Sequence, residues 1–139
     1  MATTRIIACG AIIVATATGI PASAQQRVGT AANDAAIITV QMSNFAFAPA
    51  HLNLRSGVPV RLRLVNESSG GHDFSAPAFF AASSFPAGSA PPPKGEVAVG
   101  SRQTIELTLT PRVPGTYRLE CTHFLHSFFG MHGTIDVLP

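Results

Sequence analysis

The chain has no tryptophan, one tyrosine and two cysteines, and only 12% of its 139 residues are charged. Each shortage excludes something. Nine basic and seven acidic residues leave no electrostatic footprint for nucleic acid or for an anionic membrane surface. No nucleophile–base pair of a hydrolase stands out, and a papain-like Cys/His arrangement lacks both length and motif. There is no internal repeat and no long amphipathic helix. No apolar run reaches the roughly 20 residues of a spanning helix. The longest is Ile6 to Ile20, and Gly10, Thr16, Thr18 and Gly19 interrupt it.

That run has the form of an export signal. Arg5 supplies a positive start, Pro21 ends the apolar stretch, and Ala22, Ser23 and Ala24 supply the small residues of a cleavage site. The expected organisation is a cleaved signal over 1–24, a loose leader over 25–35 and one domain over 36–139. Cleavage removes Arg5 and Cys9, so the two signs of charge nearly balance and Cys121 is left as the one thiol. The compartment implied is the periplasm or the exterior, with no stable membrane insertion of the mature chain. A lone thiol in an oxidising compartment is a liability unless it is buried or ligated.

From Ala36 onward the apolar period is two. Ile38, Val40 and Met42 alternate with Thr39 and Gln41, and Phe45 and Phe47 with Asn44 and Ala46. Leu52 and Leu54 flank Asn53, while Val58, Val60, Leu62 and Leu64 include the clearest half-buried strand. Ile105, Leu107 and Leu109 follow, then Tyr117, Leu119 and Cys121, and Ile135 and Val137 close the chain. Turn signals such as Ser56 with Gly57, and Ser69 with Gly70 and Gly71, separate the runs. The pattern predicts an all-β sandwich or barrel of about seven to eight strands. Residues 76–100 are rich in Ala, Ser and Pro and are expected as a surface excursion with a helical turn near Phe79 to Ser84.

The chemistry gathers near the C-terminus. Cys121 stands at a strand end, with His126 and Met131 following at equal gaps, and Gly130 and Gly133 bracket the methionine. A strand advances about 3.3 Å per residue, so the chain must loop back for the three to meet. A fourth donor has to come from elsewhere, and His72, after the turn that begins at Ser68, is well placed. Two imidazoles, a thiolate and a weak thioether form the donor set of blue-copper electron-transfer sites. Zinc more often takes additional thiolates or a carboxylate.

These segments resemble the cupredoxins. Phe47, Ala48 and Pro49 with Leu52, Leu54, Gly57 and Val60 are similar to the family's opening strands. Asn66 followed by His72, Asp73 and Phe74 resembles the strand that supplies the first histidine, and Gly115 to Cys121 the strand that delivers the cysteine. The Cys-x4-His-x4-Met spacing is similar to the auracyanin-like branch. The resemblance implies a Greek-key sandwich holding one type 1 copper, with His72, Cys121 and His126 as strong ligands and Met131 as the long axial one. Two departures stand out. The 122–125 segment carries His123, a competitor of His126, where close relatives have Pro-Gly. Asp73 stands where many relatives carry an amide.

The other histidines read differently: His51 as a solvated edge residue, His132 as a rim residue pointing away if Met131 points in. Phe74, Phe79, Phe80 and Phe85 read as packing. Phe124, Leu125, Phe128 and Phe129 surround His126 and form either a collar for a redox partner or a cap against water. By the same resemblance, multicopper oxidases need His-x-His pairs, and the five histidines here include none. No enzymatic activity is expected. Two functions stay open: a monomeric electron shuttle, or a periplasmic carrier or resistance protein that buffers copper and hands it on. Carriers more often show Met- or His-rich tracts.

Overall fold

The computed structural model describes residues 35–123 and 130–139. The expected signal and leader lie outside them, except for Ala35, which is buried. Among the described residues no helix is long and apolar enough to cross a membrane.

The period-two segments became strands because alternation lets one face of each be buried while the other stays wet. Strand β1 (Ala36–Ser43) points Val40 and Met42 inward. A two-residue turn at Asn44 and Phe45 joins it to β2 (Ala46–Ala48), with Ser43 paired to Ala46. Phe45 therefore does not continue the strand alternation expected of it. It takes a left-handed φ of 66° and stays exposed, as a tight hairpin requires. After a cis Ala48–Pro49 bond come β3 (His51–Arg55) and β4 (Val60–Asn66), the latter alternating strictly between buried and half-buried positions.

Strand β5 (His72–Ser75) is buried throughout. The excursion that follows holds more structure than its composition suggests. Helix α1 (Pro77–Ala81) begins on a proline, which suits a position whose N–H is not needed, and buries Phe79 and Phe80. It starts slightly earlier than the expected turn. Strand β6 (Ser83–Ser84) is a short edge, and β7 (Glu96–Val99) pairs with β5. Strands β8 (Thr104–Pro111), β9 (Gly115–Glu120) and β10 (His132–Leu138) complete the domain. The ten strands among the described residues exceed the seven to eight expected because β2 and β6 are too short, and β7 too hidden by prolines, to show as periods.

The strands form two five-stranded sheets, ordered β2-β1-β4-β8-β6 and β3-β10-β9-β5-β7. Two parallel contacts, β1 with β4 and β3 with β10, tie the start of the chain to its middle and its end. The inward faces share one core that includes Leu62, Leu64, Leu109, Leu119 and Ile135. Phe74 lies at its centre, fully buried, with Phe47 edge-on at 6.1 Å and Phe80 tilted at 6.0 Å. Phe85 is half-buried against the same core. Phe74→Ala is expected to cost about 3–5 kcal/mol, read as a lower midpoint in denaturant unfolding followed by circular dichroism. A loss under about 1 kcal/mol would mean that this end of the sandwich is not close-packed.

Candidate metal centre

One pole of the sandwich collects the chain segments that the sequence singled out. Strand β4 ends at Asn66, β5 begins at His72, β9 runs out at Cys121, and Met131 leads into β10. Pairing of Ser75 with Glu120 sets β5 beside β9. The register carries His72 to Cys121: imidazole Nδ1 lies 4.0 Å from the sulfur. Both side chains are buried, His72 at 1% exposure and Cys121 at 0%.

A local scaffold orients the imidazole. Asn66 is buried, and its amide donates to the carbonyls of Gly70, Val99 and Gly100. Its Oδ1 accepts from the backbone and the hydroxyl of Ser68, at 3.0 and 2.7 Å. With that hydroxyl proton directed to Asn66, Ser68 Oγ is free to accept from His72 Nε2, 2.9 Å away. This assigns the proton to Nε2 and leaves the lone pair of Nδ1 facing the thiol, the tautomer a metal ligand needs. Asn66 and Ser68 with the following glycines have the signature of an Asx turn; the role of Ser68 toward His72 is a residue the sequence reading missed.

Cys121 sits in a low-polarity pocket with selective relief. Burial pushes its thiol above its ordinary pKa, the backbone N–H groups of Asp73 and His123 draw it down, and the Asp73 carboxylate pushes it up again. The Asp73 N–H lies 3.5 Å from the sulfur. Burial dominates, so a thiolate here calls for a cation in place of the proton, and metal uptake would release that proton.

Met131 is fully buried in the same core cluster, and its carbonyl accepts from Cys121 N–H at 3.1 Å. Gly130 has φ 98°, a left-handed turn that brings the chain back into β10. At Gly133 a side chain would collide with the Ala50 carbonyl oxygen, so only glycine lets β10 lie this close to the start of β3. His132 points outward, as alternation from an inward Met131 requires. His51 is exposed and bonded through Nδ1 to Thr134 Oγ1 at 2.9 Å, which matches its reading as an edge residue.

His126 lies outside the described residues, as do Phe124, Leu125, Phe128 and Phe129. Among the described residues no group of three His, Cys, Asp or Glu side chains converges on a metal position. His72 and Cys121 form a pair, and the thioether of Met131 is a donor of another kind. His123 is exposed, its ring lying 3.4 Å from where a side chain on Gly71 would begin. The donors fit a soft, one-electron metal. A first-row ion binds sulfur at about 2.3 Å and imidazole nitrogen at about 2.0 Å, and these together exceed the 4.0 Å between Sγ and Nδ1. One ion can therefore touch both, and thiolate with thioether favours copper.

The carboxylate of Asp73 takes the place of the amide expected from the resemblance and has clear partners. Its Oδ1 accepts from Thr122 N–H at 2.6 Å and its Oδ2 from Thr122 Oγ1 at 2.9 Å. Glu96 Oε2, on β7, is 3.1 Å from the same hydroxyl. Thr122 and Glu96 are also residues the sequence reading missed. They are far apart in the chain, and nothing in either segment marks them.

A family model described as "Cupredoxin-like domain" matches residues 9–137. The fold is similar to that of auracyanin B, with a TM-score of 0.58 and 25% identity, covering 76% of this chain and 90% of that one. A dithionite-reduced auracyanin from Roseiflexus castenholzii gives 0.58 at 18% identity, over 76% of this chain and 98% of its own. Auracyanin A from Chloroflexus aurantiacus, titled a "blue" copper protein, gives 0.54 at 24% identity, over 73% and 98%. No curated protein of established function matches the sequence. With the match spanning nearly the whole chain and the two-sheet fold in place, the chain belongs to the cupredoxin-like family.

Proposed function

We propose that this is an exported blue-copper protein that holds one type 1 copper between His72, Cys121, His126 and Met131 and passes single electrons between redox partners. The observation that carries this reading is the buried pair of His72 Nδ1 and Cys121 Sγ, 4.0 Å apart. Copper, when bound, supplies a Cu(I)/Cu(II) couple. The chain's own residues do the rest. Ser68 fixes the His72 ring, the Asp73 and His123 N–H groups hold the sulfur, and the packed core excludes water. Donors fixed this way need little rearrangement when the charge changes, which is what rapid electron exchange requires.

The auracyanin A title names that protein a blue copper protein, and the same chemistry is assigned here to a carrier that turns over no substrate of its own. The partner is assigned to the apolar collar of Phe124, Leu125, Phe128 and Phe129 around His126. The near balance of charges makes that association only weakly salt-dependent. Extracytoplasmic location follows from the signal over 1–24, and the mature domain works as a monomer.

The test is addition of Cu(II) to the purified protein, followed by ascorbate and then a mild oxidant. Uptake of about one equivalent with an intense visible band, bleached by ascorbate and restored on oxidation, is the expected result. Retention of Cu(I) with no visible band for Cu(II) would instead assign the protein to copper buffering and delivery.

A further inference from the structure

Strand β8 is covered on its outer edge for only part of its length. Strand β6 pairs with it at Thr110 and Pro111, and among the described residues no strand pairs with the rest of that edge. Burial along one inward face records the difference: Leu109, beside the covered part, is fully buried, whereas Leu107 and Ile105 are half-buried. Asn66 N–H donates to the Gln103 carbonyl at 2.9 Å, which fixes the phase of the β4–β8 ladder. Ile105, Leu107 and Leu109 therefore turn their backbone groups to β4, while Glu106 and Thr108 turn theirs outward. On the facing edge, Ala76 N–H donates to the Gly95 carbonyl, so Val97 turns to β5 and Glu96 and Ala98 turn outward. Between the two edges lies a groove of about 750 Å3, floored by Phe85, Val97 and Leu107 and walled by Pro92 and Pro93. Prolines carry no N–H, so this wall shields the edge without completing the ladder. The charged residues lining the groove are both carboxylates, Glu96 and Glu106. Glu106 is held by Arg63 at 2.6 Å, but Glu96 meets the Thr122 hydroxyl and no cation among the described residues.

We propose that this groove takes an extended peptide of a partner protein, with apolar and basic residues alternating, as an added strand on the β8 edge. The inference is independent of the copper reading. Such a strand continues the line that β6 begins, and its N–H and C=O groups meet those of Glu106 and Thr108. At about 3.3 Å per residue, about five residues span the open edge. Period two sends alternate side chains into the groove, where apolar ones finish the burial of Leu107 and Val97. The others stand outward beside Glu106, with Glu96 on the opposite lip. A lysine or arginine there meets a carboxylate, whereas an acidic residue meets like charge.

The probe is a capped six-residue peptide of alternating valine and lysine, added to the 15N-labelled protein and followed by amide chemical shifts. Saturable shifts centred on Glu106, Thr108, Glu96 and Ala98 are expected. Glutamate in place of each lysine is expected to weaken binding about tenfold or more. N-methylation of the peptide residues that face β8 is expected to abolish it, because the added ladder then lacks its donors. Thr108→Pro removes an outward donor and no bond to β4, and is expected to weaken binding with circular dichroism unchanged. Where that variant fails to fold, the N-methylated peptide carries the same test. The proposal is overturned by the absence of saturable shifts, by equal binding of the glutamate peptide, or by undiminished binding of the N-methylated one; the prolines then only guard the edge. Shifts at the same amides that grow with protein concentration alone would make a second copy the occupant. Shifts there on deletion of 25–34 would make the occupant the chain's own leader. Either result also overturns it.

Discussion

Cys121→Ser is expected to give a colourless protein that is still folded. The intense band of a blue-copper site arises from the copper–thiolate bond, and a hydroxyl at neutral pH offers no comparable donor. Loss should be complete rather than graded, because among the described residues Cys121 is the one cysteine. The fold should survive because the core does not depend on that sulfur. Leu119, Ile135, Phe74 and Leu62 pack around the centre without it. A serine there would be buried, yet the Asp73 N–H and the His72 imidazole already face the position. The hydroxyl therefore finds partners, and the cost should stay within about 1–3 kcal/mol. Absorption with added Cu(II) reads the first claim, and circular dichroism through thermal unfolding reads the second. A blue serine variant would remove Cys121 from the site altogether.

His126→Gly should abolish the band and leave a site that added imidazole refills, restoring the colour. His123→Gly should leave the spectrum nearly unchanged. The reasoning joins spacing to geometry. His126 is one loop-length from Cys121, with Met131 another loop-length on, so the chain can close around one ion. His123 is only two residues from the thiolate and would crowd it from almost the same stretch of backbone. The described structure puts its ring against Gly71 at an exposed position, and its contribution to the sulfur comes through the backbone N–H, which glycine retains. Titration of each variant with Cu(II), with and without imidazole, separates the two histidines. Colour lost in His123→Gly and kept in His126→Gly would reverse the assignment and make the likeness of this loop to the auracyanin-like spacing superficial.

Local pattern sufficed wherever the physics was local. Alternation along β4 and β10 had to place one face in a core, since a slip of one residue would turn Leu62, Leu64, Ile135 and Val137 to water. The proposed donor set of Cys121, His126 and Met131 was read from spacing alone, and the turn residues after Asn66 announced a loop before His72. Phe45 misled because alternation looks the same whether a strand continues or a two-residue hairpin intervenes. Strand β7 was hidden because Val97 and Val99 follow a proline-rich stretch, and pairing with β5 outweighed that composition.

Taken by itself, the sequence determined the class of the fold, the inward faces of its strands and the donor types near Cys121, because each depends on neighbours along the chain. Only the tertiary structure decided what depends on neighbours across it. The register of β5 on β9 brings His72 Nδ1 to the sulfur from 49 positions away, and the turn from Asn66 to Gly70 supplies the Ser68 hydroxyl that fixes its tautomer. The clasp of Asp73 on Thr122, with Glu96 behind it, exists because β5 lies between β9 and β7. A hydrogen bond between distant segments has no period to betray it: its geometry comes into being only when the sheet forms.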